Sequence, residues 1–355
     1  MSKVRFGIIG CGAICGTHAQ AFGNIEGAKL EAVYDVVHEK ACAAGDKFGV
    51  PAARSLKALL DKVDAVCLCV PSGLHASIGI KAARAGKHVV CEKPIDVSLR
   101  AAQRLVDAAR ESGVKLTVIS QHRFANDIRR LREAAQEGGL GRLIEGDAYI
   151  KWYRTQAYYD SGDWRGTWAL DGGGCLMNQG VHYVDMLQWV MGGVKSVQAA
   201  VRTAAHKIEV EDVATALVEF KNGAIGVIQG STSFFPGLAE RLEVHGTHGS
   251  IIVEGDRLKL WEVNAAEDDG SPYGRGVKAQ PTPNLHTHGA PAEKTGASDP
   301  SALWMEQHRL QLEDFTRAII DRRDPFITGE EALEPLKVIL AIYRSAKRDG
   351  TRVEV

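Results

Sequence analysis

Five short runs of almost unbroken apolar residues, at 4–9, 30–34, 65–70, 88–91 and 116–119, punctuate the first 123 residues. None of them alternates with polar positions, which is the pattern of parallel strands covered on both faces. Between the runs, apolar residues recur at helical spacing, as over 78–85 and 99–109. Strand and helix in strict succession predict a doubly wound parallel sheet of the Rossmann kind. From about residue 143 the pattern changes. Stretches at 148–152, 197–203, 213–220, 224–231, 241–245 and 250–254 alternate apolar and polar residues, as strands with one wetted face do. Asn222-Gly223 between two of them predicts a tight hairpin. The second part therefore reads as α+β, with an open-faced, mainly antiparallel sheet and at least one inserted helix. Residues 264–300 are rich in Gly, Pro, Ala, Asp and His and follow neither period, which predicts a long surface loop. Helices over 308–321 and 330–348 close the chain. The expected division is 1–123 and 124–355, with the last helix able to pack back on the first domain.

A length of 355 residues exceeds what one hydrophobic core usually serves, in keeping with two domains. Hydrophobic residues make up 45%, charged residues 25%, and the net charge is −1. That balance belongs to an ordinary globular protein and argues for neither a nucleic-acid nor a membrane partner. No apolar run reaches the roughly 18 to 20 residues that span a bilayer, and Met1-Ser2-Lys3 leads straight into a strand pattern, so the expected location is cytoplasmic. Seven cysteines, an odd number placed mostly within apolar runs, predict no disulfide and no metal site.

The chemistry begins where the first strand ends, in Gly10-Cys11-Gly12-Ala13-Ile14-Cys15-Gly16. A glycine turn between strand and helix lets backbone amides approach a pyrophosphate at a helix N-terminus. The third position of the G-x-G-x-x-G pattern is Cys15, still small enough for close packing of helix on strand. Asp35 closes the second strand, where an acid can accept hydrogen bonds from ribose hydroxyls and repel a 2′-phosphate. The expected cofactor is NAD, not NADP.

Cys91-Glu92-Lys93-Pro94 ends a further strand, at the carboxyl edge where open α/β sheets bind ligands. Lys93 can there donate a hydrogen bond to a reacting oxygen and stabilise developing negative charge. A second cluster runs from Asp171 through three glycines to Asn178, His182 and Asp185. Read as a helix over 177–190, it carries one stripe of Met177, Val181, Val184 and Leu187 and beside it another of Asn178, His182, Asp185 and Trp189. The second stripe offers His182 as general base, Asn178 to a neighbouring hydroxyl, and Asp185 as a group that orients the imidazole. Between the two clusters, Trp152-Tyr153-Arg154, Tyr158-Tyr159-Asp160 and Trp164-Arg165-Gly166-Thr167-Trp168 gather aromatics that stack on sugar faces with arginines that hold carboxylates or phosphates.

On these motifs, together with Pro71-Ser72-Gly73-Leu74-His75 and Thr328-Gly329-Glu330-Glu331-Ala332, the whole chain resembles the Gfo/Idh/MocA family of dehydrogenases. The resemblance implies a Rossmann domain, an open-faced sheet that builds a homodimer or homotetramer, and hydride transfer between NAD and a hydroxyl of a sugar, sugar nucleotide or cyclitol. It implies that Pro71, Ser72, His75, Glu92, Gln121, Trp164 and Arg165 join Gly10, Gly12, Ala13, Ile14, Asp35 and Lys93 around NAD. Arg154, Tyr158, Asn178 and Asp185 are implied to meet the substrate, with Lys93 and His182 catalytic. Many members carry Asp four residues before the histidine; this chain has Asn178. Within the family, the stretches around Tyr158–Trp168, Met177-Asn178-Gln179 and Ile208–Asp212 are similar to the branch that oxidises the 3-hydroxyl of UDP-N-acetylglucosaminuronate. Two other readings stay open: a glycosidase that oxidises C3 transiently, and a non-catalytic NAD-binding sensor.

Overall fold

The computed structural model describes residues 3–263 and 305–355; the loop expected over 264–300 lies outside the described residues. Five strands, β1 (Val4–Ile9), β2 (Ala28–Tyr34), β3 (Ala65–Leu68), β4 (His88–Cys91) and β5 (Leu116–Val118), form one sheet in the order β2-β1-β3-β4-β5, every pairing parallel. Helices α1 (Cys15–Phe22), α2 (His38–Phe48), α3 (Leu56–Leu60), α4 (His75–Arg84) and α5 (Leu99–Glu111) connect them. The unbroken apolar runs have the predicted cause. Along β3, Val66 and Leu68 join one buried cluster while Ala65 and Cys67 join another, so both faces of the sheet are covered. Sequence order reverses at β1, which opens a crevice beyond its carboxyl end.

The second part contributes α6 (Asn126–Gln136), β6 (Leu143–Lys151), α7 (Gln156–Asp160), α8 (Val181–Met191), β7 (Val194–Arg202), β8 (Val213–Phe220), β9 (Ile225–Ser231), β10 (Arg241–Gly246), β11 (Gly249–Glu254), β12 (Arg257–Val263), α9 (Met305–Ile320), α10 (Leu333–Ala346) and β13 (Val353–Glu354). Its eight strands run in the order β12-β11-β10-β6-β9-β8-β7-β13, and only the β6–β9 pairing is parallel. In β8, Ala214, Ala216, Val218 and Phe220 are buried while Thr215 and Leu217 are exposed. One face of this sheet is thus packed, with α8 against β6 and α10 against β7, and the other is open.

The two closing helices part company. α10 packs on α8 and β7 and also reaches α5. α9 instead joins the first sheet, where Leu312 and Phe315 are buried with Phe6, Ile8 and Phe22. The continuous helix expected over 177–190 is also corrected. Residues Cys175–Gly180 form a wide turn of π type, and the α-helix begins only at Val181. A buried acid explains the change: the Glu211 carboxylate accepts the amides of Gly174 at 2.8 Å and Leu176 at 3.0 Å. The backbone there lies so close that a Cβ on Gly174 would stand 1.6 Å from the carbonyl oxygen of Glu211.

Candidate active site

The turn after β1 is built for close backbone approach. Gly10 has φ +96°, and a Cβ on it would lie 2.3 Å from the carbonyl oxygen of Cys69. Gly12 differs, since a Cβ there would meet nothing within 4 Å. Its missing side chain leaves open space at the start of α1, next to exposed Ala13 and half-buried Ile14. The amides of Gly12, Ala13 and Ile14 have no acceptor among the described residues, and the first turn of α1 carries no acid. That combination suits a pyrophosphate. Asp35 is fixed beside it: one carboxylate oxygen accepts the Cys11 amide and the other the Val37 amide, both at 2.8 Å.

At the end of β4, the Lys93 ammonium reaches across to the segment before α8. It donates to the Asn178 carbonyl at 2.8 Å and to Asn178 Oδ1 at 3.2 Å. Burial pushes the Lys93 pKa down, the Glu92 and Asp171 charges oppose the shift, and Arg165 and Arg154 add to it. His182 stands one turn into the same wall and lines a small cavity with Lys93, Ser120 and Ala332. Its half-buried ring has no hydrogen-bond partner among the described residues. Burial, then the neighbouring His122, Lys93 and His308, hold its pKa well below the ordinary imidazole value, so it is neutral at working pH. A neutral imidazole beside a fixed ammonium can accept a proton while the ammonium steadies an oxygen.

His182, Asp185 and Trp189 of α8 face a polar seam made with the turn Gln121–Phe124, while Asn178, in the π turn, faces Lys93 and Asp171. Asp185, expected to orient His182, is engaged elsewhere. Its two oxygens accept from Arg123 Nε at 2.7 Å and Nη2 at 2.5 Å, and both residues are buried. The group beside His182 is instead His122, with ring centroids 4.9 Å apart, whose Nδ1 is bonded to Asp256. Burial would lower the His122 pKa, but Asp256, Glu240 and Asp185 outweigh it and raise the value.

Three residues expected around the cofactor turn inward. The His75 ring lies between two carbonyls, with Nδ1 2.7 Å from Pro94 O and Nε2 2.9 Å from Val70 O, and so bridges two strand exits. The Glu92 carboxylate lies 2.7 Å from His18 Nε2 and 3.9 Å from His308 Nε2. Burial alone would raise its pKa, yet His18, His308 and Lys93 hold it at about 2. Gln121 is buried, and its Oε1 has no partner among the described residues. Pro71 and Ser72 form the exit of the strand β3 next to this group. On the substrate side, Tyr158 accepts from Arg165 at 2.6 Å and from Gln179 at 3.1 Å, with the Arg154 and Arg165 guanidinium groups over its ring at 5.4 and 4.3 Å. Arg165 also lies over Trp164 at 4.5 Å.

Asp171 stood at the head of the second cluster in the sequence without being given a role, and sequence reasoning missed His122, Arg123 and His18. Asp171 carried a faint signal as an acid directly before three glycines, and the others lay in stretches of no clear period. Residues 4–120 match an oxidoreductase family with an NAD-binding Rossmann fold, and residues 128–252 match the GFO/IDH/MocA C-terminal domain. Among solved structures, the WlbA dehydrogenase of Bordetella pertussis, in complex with NADH and UDP-GlcNAcA, is 33% identical at a TM-score of 0.83, with 99% of each chain covered. The WlbA dehydrogenase of Chromobacterium violaceum, with the same two ligands, is 32% identical at a TM-score of 0.85, covering 100% of this chain and 96% of the other. The 1,5-anhydro-D-fructose reductase of Ensifer adhaerens is 30% identical over 349 residues, 96% of both proteins. With both halves matched and the glycine turn and Asp35 shaped for the dinucleotide, the chain belongs to the Gfo/Idh/MocA family of NAD-binding oxidoreductases.

Proposed function

We propose that this protein is an NAD-dependent dehydrogenase of a sugar-like ring hydroxyl, and that its substrate is a UDP-N-acetylhexosaminuronate oxidised at C3. The observation that carries the chemistry is the Lys93 ammonium held by Asn178 beside a neutral His182. Bound NAD supplies the hydride acceptor. His182 takes the hydroxyl proton as the carbon–oxygen double bond forms, and Lys93 donates a hydrogen bond to that oxygen. Gly10, Gly12, Ala13, Ile14 and Asp35 would hold the dinucleotide, with Trp164 and Arg165 on the neighbouring loop.

The substrate class rests on the group of Arg154, Tyr158, Arg165 and Gln179, which offers cationic and aromatic surface to an anionic sugar. It also rests on two similar structures that hold UDP-GlcNAcA. A panel of free sugars, cyclitols and UDP-sugars, followed by NADH absorbance, tests both parts. NADH formed with the UDP-uronate and not with neutral UDP-N-acetylglucosamine is expected. Turnover confined to a cyclitol or a neutral sugar would overturn the substrate, and glycoside cleavage without net NADH would overturn the reaction. We also infer a homodimer or homotetramer through the open sheet face, where Leu217 and Ile225 are 59% and 61% exposed. A monomer by light scattering would refute it.

A further inference from the structure

The side-chain amide of Asn178 is the only group that Lys93 Nζ meets through a neutral side chain among the described residues, and that amide has two ends. Its Oδ1 accepts from Lys93 at 3.2 Å, and its Nδ2 donates to Asp171 Oδ1 at 2.7 Å. Asp171 is 2% exposed, and its other oxygen accepts the Gly166 amide at 2.8 Å. Turning the amide over would set an NH2 group against the ammonium and a carbonyl oxygen against the carboxylate, two repulsive contacts in place of two attractive ones. Asp171 therefore decides which end of Asn178 Lys93 encounters. The same carboxylate grips the backbone one residue beyond Trp164-Arg165, so one buried acid connects that loop to the lysine.

We propose that Asp171 is a positioning residue: acting through Asn178, it fixes the Lys93 ammonium in place and in register with the Trp164-Arg165 loop. The carboxylate that position 178 lacks stands one hydrogen bond further out. The charged groups around Lys93 are Glu92 beside it, Asp171 and Arg165 from the loop, Arg154 from the segment after β6, and His182 from α8. Those around Asp171 are Lys93 and Arg165. Within this set, Glu92 and Asp171 are the two anions that favour the charged lysine, and burial opposes them. Loss of the Asp171 charge then leaves Lys93 easier to deprotonate.

This inference rests on the role given to Lys93 above, so its test includes a measurement that needs no turnover. Competitive acetylation of the full-length protein, read at the Lys93 peptide by mass spectrometry across pH, reports the ionisation of that amine directly. Asp171→Asn is expected to move the midpoint down by about one pH unit, the size of effect of a neighbouring charge in a partly buried site. The alkaline limb of turnover should move with it, and kcat should fall about tenfold or more. The double exchange Asp171→Asn/Asn178→Asp returns a carboxylate to direct contact with Lys93 and should bring the midpoint back to the wild-type value or above it. Asp171→Ser carries the same expectation as Asp171→Asn if the amide prevents folding. A wild-type midpoint in folded Asp171→Asn or Asp171→Ser, or an exchange variant no closer to wild type than the single variant, overturns the proposal. A shifted midpoint in a protein that oxidises no sugar upholds the placement of Asp171 and overturns the dehydrogenase reading instead.

Discussion

Replacing Asp185 by Asn separates a structural role from a catalytic one. Arg123 is 1% exposed and gives two hydrogen bonds, at 2.7 and 2.5 Å, to the Asp185 carboxylate. Its remaining anion is Glu331 at 3.3 Å, whose side chain is 40% exposed, and its guanidinium lies 4.8 Å from the Trp189 ring. The Asn variant keeps one acceptor and removes the charge, so the guanidinium stays buried with only the solvated Glu331 carboxylate, 3.3 Å away, as counter-ion. Breaking a buried ion pair from one side costs about 3–5 kcal/mol, and the surviving Glu331 contact lowers the expectation to about 2–4 kcal/mol. In a domain of this size that is a fall in Tm on the order of 4–10 °C. Urea unfolding and thermal melting measure it, alongside the pH profile of turnover. The acidic limb should stay where it is, because His182 is tuned by burial, His122, Lys93 and His308. Replacing both partners, as Asp185→Leu/Arg123→Met, should recover part of the loss. A cost below about 1 kcal/mol together with a displaced acidic limb would refute this reasoning and return Asp185 to its expected place behind His182.

Asp35→Ala removes the carboxylate that would face a 2′-phosphate and also strips the Cys11 and Val37 amides of their acceptor. NAD affinity should fall and the preference for NAD over NADP should shrink about tenfold or more, by titration of both; an unchanged ratio contradicts the assignment. Lys93→Ala should keep NAD binding while turnover drops about 100-fold or more, and near wild-type turnover would make the lysine a bystander. His182→Asn should slow oxidation by roughly 10² to 10⁴ and abolish an acidic limb that lies below pH 6.5, since burial and nearby cations depress the imidazole pKa. An unchanged rate and profile would place the base elsewhere.

The sequence pattern carried the strands of the first sheet almost residue by residue, with β1 and β4 at their predicted bounds. Burial on both faces demands unbroken apolar runs, and such runs are visible without tertiary knowledge. The second sheet was legible in strands such as β8, and two of its strands were missed. In β12 an alternation that starts Arg-Leu-Lys-Leu is broken at Leu260-Trp261, and β13 is two residues long. The π turn before α8 was hidden because its cause, Glu211, lies more than thirty residues away in sequence. At the site, the glycine turn, Asp35, Lys93 and His182 stand in recognisable surroundings. His122 and Arg123 act through partners on other elements, at separations that no local period encodes, while Asp171 meets Asn178 seven residues on, across the π turn that the pattern did not reveal. The inward turns of Glu92 and His75 depend on side-chain direction at a strand exit, which spacing does not specify.

The placement of α9 bears on how the protein is made. By the time residue 120 has left a ribosome, every strand of the nucleotide-binding sheet exists, yet the sheet still lacks part of its own interior. Leu312 and Phe315 fill one face, while Gln311 Oε1 accepts the Ser120 amide at 3.0 Å and Gln311 Nε2 donates to the Val118 carbonyl at 2.8 Å. Nearly two hundred residues of the other domain are synthesised between the two halves of that contact. A nascent chain that stops short of α9 therefore holds an exposed apolar face and an open sheet end, surfaces that invite aggregation and chaperone capture.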